Sequence, residues 1–197
     1  NSSDTVRMVK EGVVDIAAVQ FPKKLKHYIE KFEHLMIAED RLVVISAVEY
    51  GIPTGRSITV KELTKHPLVL SEEKTDLNHF VRHLFSIHRI DHRQLKVKLR
   101  LFGTSAIITS VSRGLGISLI SEIAARKAEN AGLVRITPIK DKEVEVPIYV
   151  LRRSNGSNKA LNGFWEYLKR TSERFKGRLP CMIKMSVFGR YLSEYLQ

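Results

Sequence analysis

The chain has 197 residues, 43% hydrophobic and 27% charged, the proportions of an ordinary globular protein with one large domain or two small ones. One cysteine, Cys181, excludes an intrachain disulfide and the disulfide-stapled secreted class. An excess of 33 Lys and Arg over 21 Asp and Glu gives +12, which favours anionic partners, yet no block of five or six like charges marks a nucleic-acid arm.

The N-terminal stretch over 3–11 reads as a short helix, with Ser2 or Ser3 as its cap and Gly12 as its stop. Residues 13–19 form a nearly continuous apolar run, the pattern of a strand buried on both faces, and Gln20-Phe21-Pro22 ends it. After a basic stretch over 23–31, 35–38 and 42–46 read as two strand segments around Glu39-Asp40-Arg41. A Gly- and Pro-marked loop over 51–55 precedes one helical turn at 59–64 and a buried strand at 67–71. Thr75 or Asp76 caps a helix to about Ile90, with Leu77, Phe80, Val81, Leu84 and Ile87 spaced to line one face. Residues 95–101 alternate strictly, as a strand with one wet face near a sheet edge does.

Thr104 or Ser105 is expected to cap a helix to Arg113, followed by a sharp turn at Gly114-Leu115-Gly116 and a strand at 117–120. Ser121 caps a helix to about Asn130, and Gly132 stops it. Strands at 133–136 and 146–151 flank a charged linker, and 159–175 is a strong helix. In the basic tail, Met185, Phe188, Leu192 and Tyr195 fall at helical spacing after Pro180. Strands alternating with helices imply an α/β fold built from βαβ units, with a mostly parallel twisted sheet and helices on both faces. No apolar run approaches the ~20 residues of a membrane helix. Asn1-Ser2-Ser3-Asp4 lacks the basic-then-apolar start of a signal peptide. A cytoplasmic protein with no membrane partner is the expectation.

Several segments together carry a family resemblance. Lys10-Glu11-Gly12-Val13-Val14-Asp15-Ile16-Ala17-Ala18 resembles a "basic–x–Gly–x–x–Asp–apolar–Ala" segment of LysR-type transcriptional regulators. Thr104 to Ser121, with Val111, Gly114 and Gly116, resembles the same family's "small polar, helix, Val-x-x-Gly-x-Gly" segment. Tyr149 to Arg153 and Phe164 to Leu168 are similar to its closing strand and helix. The resemblance covers about residues 3 to 170.

It implies the effector-binding domain of such a regulator, similar to type 2 periplasmic binding proteins, with two α/β subdomains around a ligand cleft. Subdomain I is then expected over 1–46 and 146–175, and subdomain II over 47–145. The crossovers fall near 46–49 and 140–146, and a C-terminal extension takes 176–197. The implied partners are a small, anionic effector and DNA, the latter through a winged helix-turn-helix domain absent from this chain. A homodimer or homotetramer is implied as well. The chain also departs from the family pattern: the first strand and helix of the effector region are missing, and residues 174–197 run past the usual end.

In a doubly wound sheet, ligands sit beyond the carboxyl ends of strands, against helix N-termini. The polar junctions Ser71 to Thr75 and Gly103-Thr104-Ser105 are the candidate effector site, with Gln20 and Phe21 reaching in from the opposite subdomain. The plain alternative is that Thr75, Thr104 and Ser105 only cap helices. Gly114-x-Gly116 follows a helix and precedes a strand, the reverse of a dinucleotide fingerprint, and reads as a turn.

His79 with His83, and His88 with His92, are spaced four apart, but Arg82, Arg89 and Arg93 lie among them, so surface histidines are expected rather than a metal site. Cys181 has no histidine near it in sequence and no Gly-x-Ser-x-Gly elbow occurs. No catalytic residue, metal or cofactor is therefore expected, and the chain is read as a sensor rather than an enzyme. The rivals are a solute-binding receptor of a transport system and a small-molecule enzyme on a related fold.

Overall fold

A computed structural model of the chain describes residues 1–20, 27–52, 55–141, 144–153 and 158–174. Phe21 and the tail segment expected around Met185 to Tyr195 lie outside them. The chain divides into two compact units: residues 1–39 with the chain from Pro147 onward, and residues 40–146.

The first unit begins with α1 (Ser2–Glu11). Its cap is Asn1, whose side chain accepts from the Asp4 N–H at 3.0 Å, one or two residues ahead of the expected serines. Ser2 instead turns its hydroxyl to the Gln20 N–H at 3.0 Å. At Gly12, φ is 76°, and its N–H bonds back to the Met8 and Val9 carbonyls, closing the helix as glycine does at this position.

Strand β1 (Ile16–Gln20) follows, shorter than the apolar run that announces it. It pairs antiparallel with β7 (Glu145–Arg152), from Ile16 opposite Arg152 to Gln20 opposite Ile148. The apolar run in β7 serves two faces. Tyr149 and Leu151 pack with Val19 and Ile29, while Val150 packs with Trp165 and Leu168 of α6 (Lys159–Arg174). Arg152 closes this second cluster. Its guanidinium lies 4.8 Å from the centre of the Trp165 ring and bonds Glu33 at 2.9 Å and the Asn162 carboxamide oxygen at 2.7 Å.

Strand β2 (Glu33–Ser46) is one continuous strand of 14 residues, where two segments were expected. Glu39-Asp40-Arg41 does not interrupt it because each charge has an outlet. Glu39 is exposed, Asp40 is buried but hydrogen-bonded, and Arg41 reaches Glu122. In the second unit β2 pairs antiparallel with β5 (Ser118–Ser121) and with β6 (Arg135–Thr137).

The parallel pairing expected of βαβ units holds at β3 (Leu68–Ser71) and β4 (Val97–Leu101), joined through α3 (Asp76–Ile87). A parallel bridge from Leu68 to Ile117 adds the start of β5 beside β3. The ladders made by β2 and by β7 are antiparallel, so the class is α/β but the pairing is mixed. The expected turn at 59–64 is α2 (Val60–Leu63), capped reciprocally by Thr59 and Glu62.

Alternation along β2 and β3 sorts the second unit's core into two layers. Leu42, Val44, Leu68 and Leu70 pack with Phe80, Val81, Leu84 and Phe85 of α3. On the other face Val43, Ile45 and Val69 pack with Ile107 and Val111 of α4 (Thr104–Ser112) and Ala125 of α5 (Glu122–Asn130).

The Gly114-Leu115-Gly116 turn returns the chain from α4 to β5. At Gly116, φ is 151°, and a Cβ would stand 2.3 Å from the Pro67 carbonyl oxygen. Glycine here lets Ile117 N–H reach that same oxygen at 2.9 Å.

Candidate functional site

Strands β3 and β4 end side by side. Ser71 lies opposite Leu101, and the Glu72 N–H donates to the Leu101 carbonyl at 3.2 Å. Each strand then runs into a helix, so the N-termini of α3 and α4 come to the same end of this parallel pair. Of the expected site residues, Ser71, Thr75, Gly103, Thr104 and Ser105 are gathered there. Gln20 belongs to the first unit, where its N–H is held by Ser2, and Phe21 lies outside the described residues.

The two helix ends differ. α3 is capped as expected: Thr75 Oγ1 accepts from the Asn78 N–H at 3.2 Å and donates to the Glu72 carbonyl at 2.7 Å. Its hydroxyl is thus spent on the fold. At α4 the expectation of a Thr104 or Ser105 cap is corrected. The cap position is Gly103, at φ 87°, with no side chain to offer, and Thr104 and Ser105 are already inside the first turn. The physical reason is the left-handed backbone at Gly103, which suits glycine and starts the helix one residue early. First-turn N–H groups of α4 therefore have no side-chain cap and carry the positive end of the helix dipole.

Ser71 supplies an independent sign. It is 5% exposed, yet its Oγ has no hydrogen-bond partner. It shares a strand face with Val69, the face covered by α4. Its carbonyl, in contrast, is engaged by Asn78 Nδ2 at 3.0 Å. Buried hydroxyls left unpaired are uncommon and call for an explanation. A free hydroxyl beside an uncapped helix end is an arrangement able to accept an anion: N–H groups and hydroxyls donate, and the dipole attracts.

One polar cluster was not singled out from the sequence. Asp40, 5% exposed, accepts hydrogen bonds from the Ser121 hydroxyl, from its neighbour's N–H at Arg41 (2.8 Å) and from Ile123 N–H (3.4 Å). Burial pushes its carboxyl above the usual range, and these bonds pull it part of the way back. Beside it Glu122 is held below its usual range, first by Arg41 at 2.5 Å and then by Arg126 at 2.8 Å. The only sequence signal was an acidic residue inside an apolar run. Ser121 caps α5 as expected, accepting from Ala124 N–H at 3.3 Å.

Elsewhere the first unit holds a basic groove of about 920 Å³, lined by Arg7, Lys10, Lys31 and Arg153 with Tyr28 and Phe32. No unpartnered buried polar group lines it among the described residues. Nor do the described residues contain a group of three or more His, Cys, Asp or Glu placed to hold a metal. The described helices include none long and apolar enough to cross a membrane.

Comparison with known proteins agrees with this architecture. The chain is 31% identical over 169 residues to an HTH-type transcriptional regulator of Methanocaldococcus jannaschii, covering 85% of this chain and 55% of the relative. It is 27% identical over 149 residues to a probable RuBisCO transcriptional regulator of a Synechocystis species, covering 75% of this chain and 42% of that one. The chain thus spans about half the length of the curated relatives it matches.

Among solved structures it is similar to the regulatory domain of CcmR from Synechocystis in complex with 2-PG. The TM-score is 0.74 at 20% identity, covering 89% of this chain and 81% of that one. It is also similar to the effector binding domain of QuiR in complex with shikimate, with a TM-score of 0.73 at 18% identity and coverage of 88% and 79%. Residues 1–173 match the family model of the LysR substrate binding domain, and the chain belongs to that family.

Proposed function

We propose that this chain is the sensing domain of a LysR-type transcriptional regulator and that it binds a small anionic effector at the α4 end of β3 and β4. The observation that carries this is the buried, unpaired Ser71 hydroxyl on the α4-covered face of β3, opposite Leu101 at the end of the strand that runs into the glycine-capped α4. Thr104 and Ser105 add hydroxyls in the same turn. A carboxylate or phosphate there takes N–H groups of α4 and the Ser71 hydroxyl as donors.

The comparisons support the reading: two neighbours of the same fold were solved with small molecules, shikimate and 2-PG. The two compact units are proposed as the two effector subdomains. DNA is engaged by a winged helix-turn-helix domain outside this chain, in a cytoplasmic homodimer or homotetramer. The ligand biases the regulator by binding one arrangement better than another, a coupling of ~1–3 kcal/mol, and no chemical step is involved.

Calorimetric titration with a panel of small carboxylates and phosphate esters tests this. A hit is expected to bind with micromolar to millimolar affinity, and the Thr104→Ala/Ser105→Ala double variant to lose about tenfold. Gln20→Ala and Phe21→Ala, the other two candidate residues read from the sequence, are titrated separately. Turnover of any hit, or binding indifferent to Ser71→Ala and to the double variant, would overturn the reading.

A further inference from the structure

The opposite face of β3 carries a second feature that the effector site does not use. A cavity of about 140 Å³ lies wholly within the second unit, between α3, β4 and the 3-10 turn His92–Gln94. Leu70 and Val81 supply apolar wall. Because Leu70 and Ser71 are neighbours on a strand, this wall and the Ser71 hydroxyl face opposite sides of the sheet.

Asn78 lines the cavity and is 1% exposed. Its carboxamide orientation is set, since Nδ2 donates to the Ser71 carbonyl at 3.0 Å. Its Oδ1 is left buried with no partner. That oxygen accepts only, so what belongs against it is a donor.

Around the cavity the charge is mainly positive. Arg82 comes from α3 and Arg100 from β4, and the His92 imidazole from the 3-10 turn lines the cavity beside them. Opposing them are Glu73, 3.7 Å from Arg100, and Asp91 next to His92 in sequence, which is occupied by Arg93 at 2.7 Å. Arg82 has no carboxylate partner among the described residues. The surroundings thus ask for two things at once: an anionic group between the guanidinium groups and a neutral hydrogen-bond donor at Asn78. An ammonium group can donate to Asn78 but its charge is repelled by the arginines. A hydroxyl donates to Asn78 without that repulsion, a carboxylate on the same molecule supplies the anionic group, and the volume suits a molecule of a few heavy atoms.

We propose that this cavity is a second ligand site, separate from the α4 site, that takes a short hydroxycarboxylate, its carboxylate on Arg82 and Arg100 and its hydroxyl donating to Asn78 Oδ1. His92 reports occupancy. Its imidazole is held below the usual value by burial first and then by Arg82, with Arg100 adding to this and Asp91 opposing it; the edge of the ring packs on Phe85. An anion seated between the arginines relieves that repulsion and raises the value.

The test is titration of the full chain with glycolate and, in parallel, with acetate, glycine and chloride, followed by calorimetry and by the His92 ring resonances across pH. Glycolate is expected to bind at least about tenfold more tightly than acetate or glycine and to shift the His92 midpoint upward. Arg82→Gln and Arg100→Gln, both at exposed positions, are expected to abolish binding and the His92 shift with the fold intact. The Thr104→Ala/Ser105→Ala variant leaves glycolate binding here unchanged, so failure of the effector site is distinguishable. Equal binding of acetate or chloride, no binding of glycolate, or glycolate binding that survives Arg82→Gln would each overturn the proposal.

Discussion

Ser71 is a residue whose cost and use are separable. Its buried hydroxyl contributes no hydrogen bond to the fold, so Ser71→Ala removes an unpaired polar atom. Thermal denaturation of the ligand-free chain is expected to show Ser71→Ala as stable as the parent or up to ~1 kcal/mol more stable. Effector affinity is expected to fall by about tenfold in the same variant. A loss of more than ~1 kcal/mol in the free chain would mean that the hydroxyl has a partner in solution.

Asp40 behaves in the opposite sense to an ordinary surface carboxylate. Its folded value lies above the unfolded 3.8, so the native state holds the proton more tightly. The stability that this gives is fully present below 3.8 and is lost as pH rises through the folded value. Asp40→Asn removes that titration. Urea unfolding from acid to neutral pH is expected to show the variant gaining on the parent as pH rises, whereas a constant difference would refute the assignment. Glu122 contributes with the opposite sign: its depressed value gives stability above 4.5 that is lost on acidification.

At the scale of elements, the loop glycines and the closing helix set what a strand or helix can do. Gly116→Ala places a methyl 2.3 Å from the Pro67 carbonyl and on a backbone that L-residues rarely adopt. It is expected to cost about 3 kcal/mol or more, measured by denaturant unfolding, because backbone rather than a flexible side chain must move. Trp165 anchors α6: it is 2% exposed, packs on Val150 and Leu168 and carries Arg152 over its ring. Trp165→Ala is expected to lose about 3–5 kcal/mol, whereas Trp165→Phe loses less, since the indole Nε1–H has no acceptor to give up.

Within the elements, signals between chain neighbours are legible in the sequence and pairings across the fold are not. α3 with its Thr75 cap, α5 with its Ser121 cap and the alternating β4 were legible because caps and hydrophobic period act locally. β2 was read as two pieces because charged residues argue against a strand unless partners distant in sequence receive them. Those partners, Ser121 and Glu122, lie 81 positions away. The α4 cap was misplaced by one residue because two hydroxyl residues stand next to a glycine, and only the left-handed backbone at Gly103 separates the options.

For the whole molecule, the charge of +12 is spread over both units and becomes meaningful only where it converges. Arg82 and Arg100 are 18 positions apart in the chain and meet at one cavity. Anion binding at either proposed site is expected to weaken as salt is raised, since partly exposed cations are screened within a Debye length of ~10 Å at 0.1 M. Salt-independent affinity would argue for recognition by shape instead.

Composition, period and caps act between neighbours in the chain, so the α/β class, the helix and strand order and the family could be read from residue order alone. Long-range pairing cannot be, because it depends on which distant groups meet when β2, β3 and β4 assemble. Only the folded chain decided that Asp40 is buried against Ser121, that Thr75 is consumed by its own helix, and that Ser71 and Asn78 keep unpaired atoms on opposite faces of one strand.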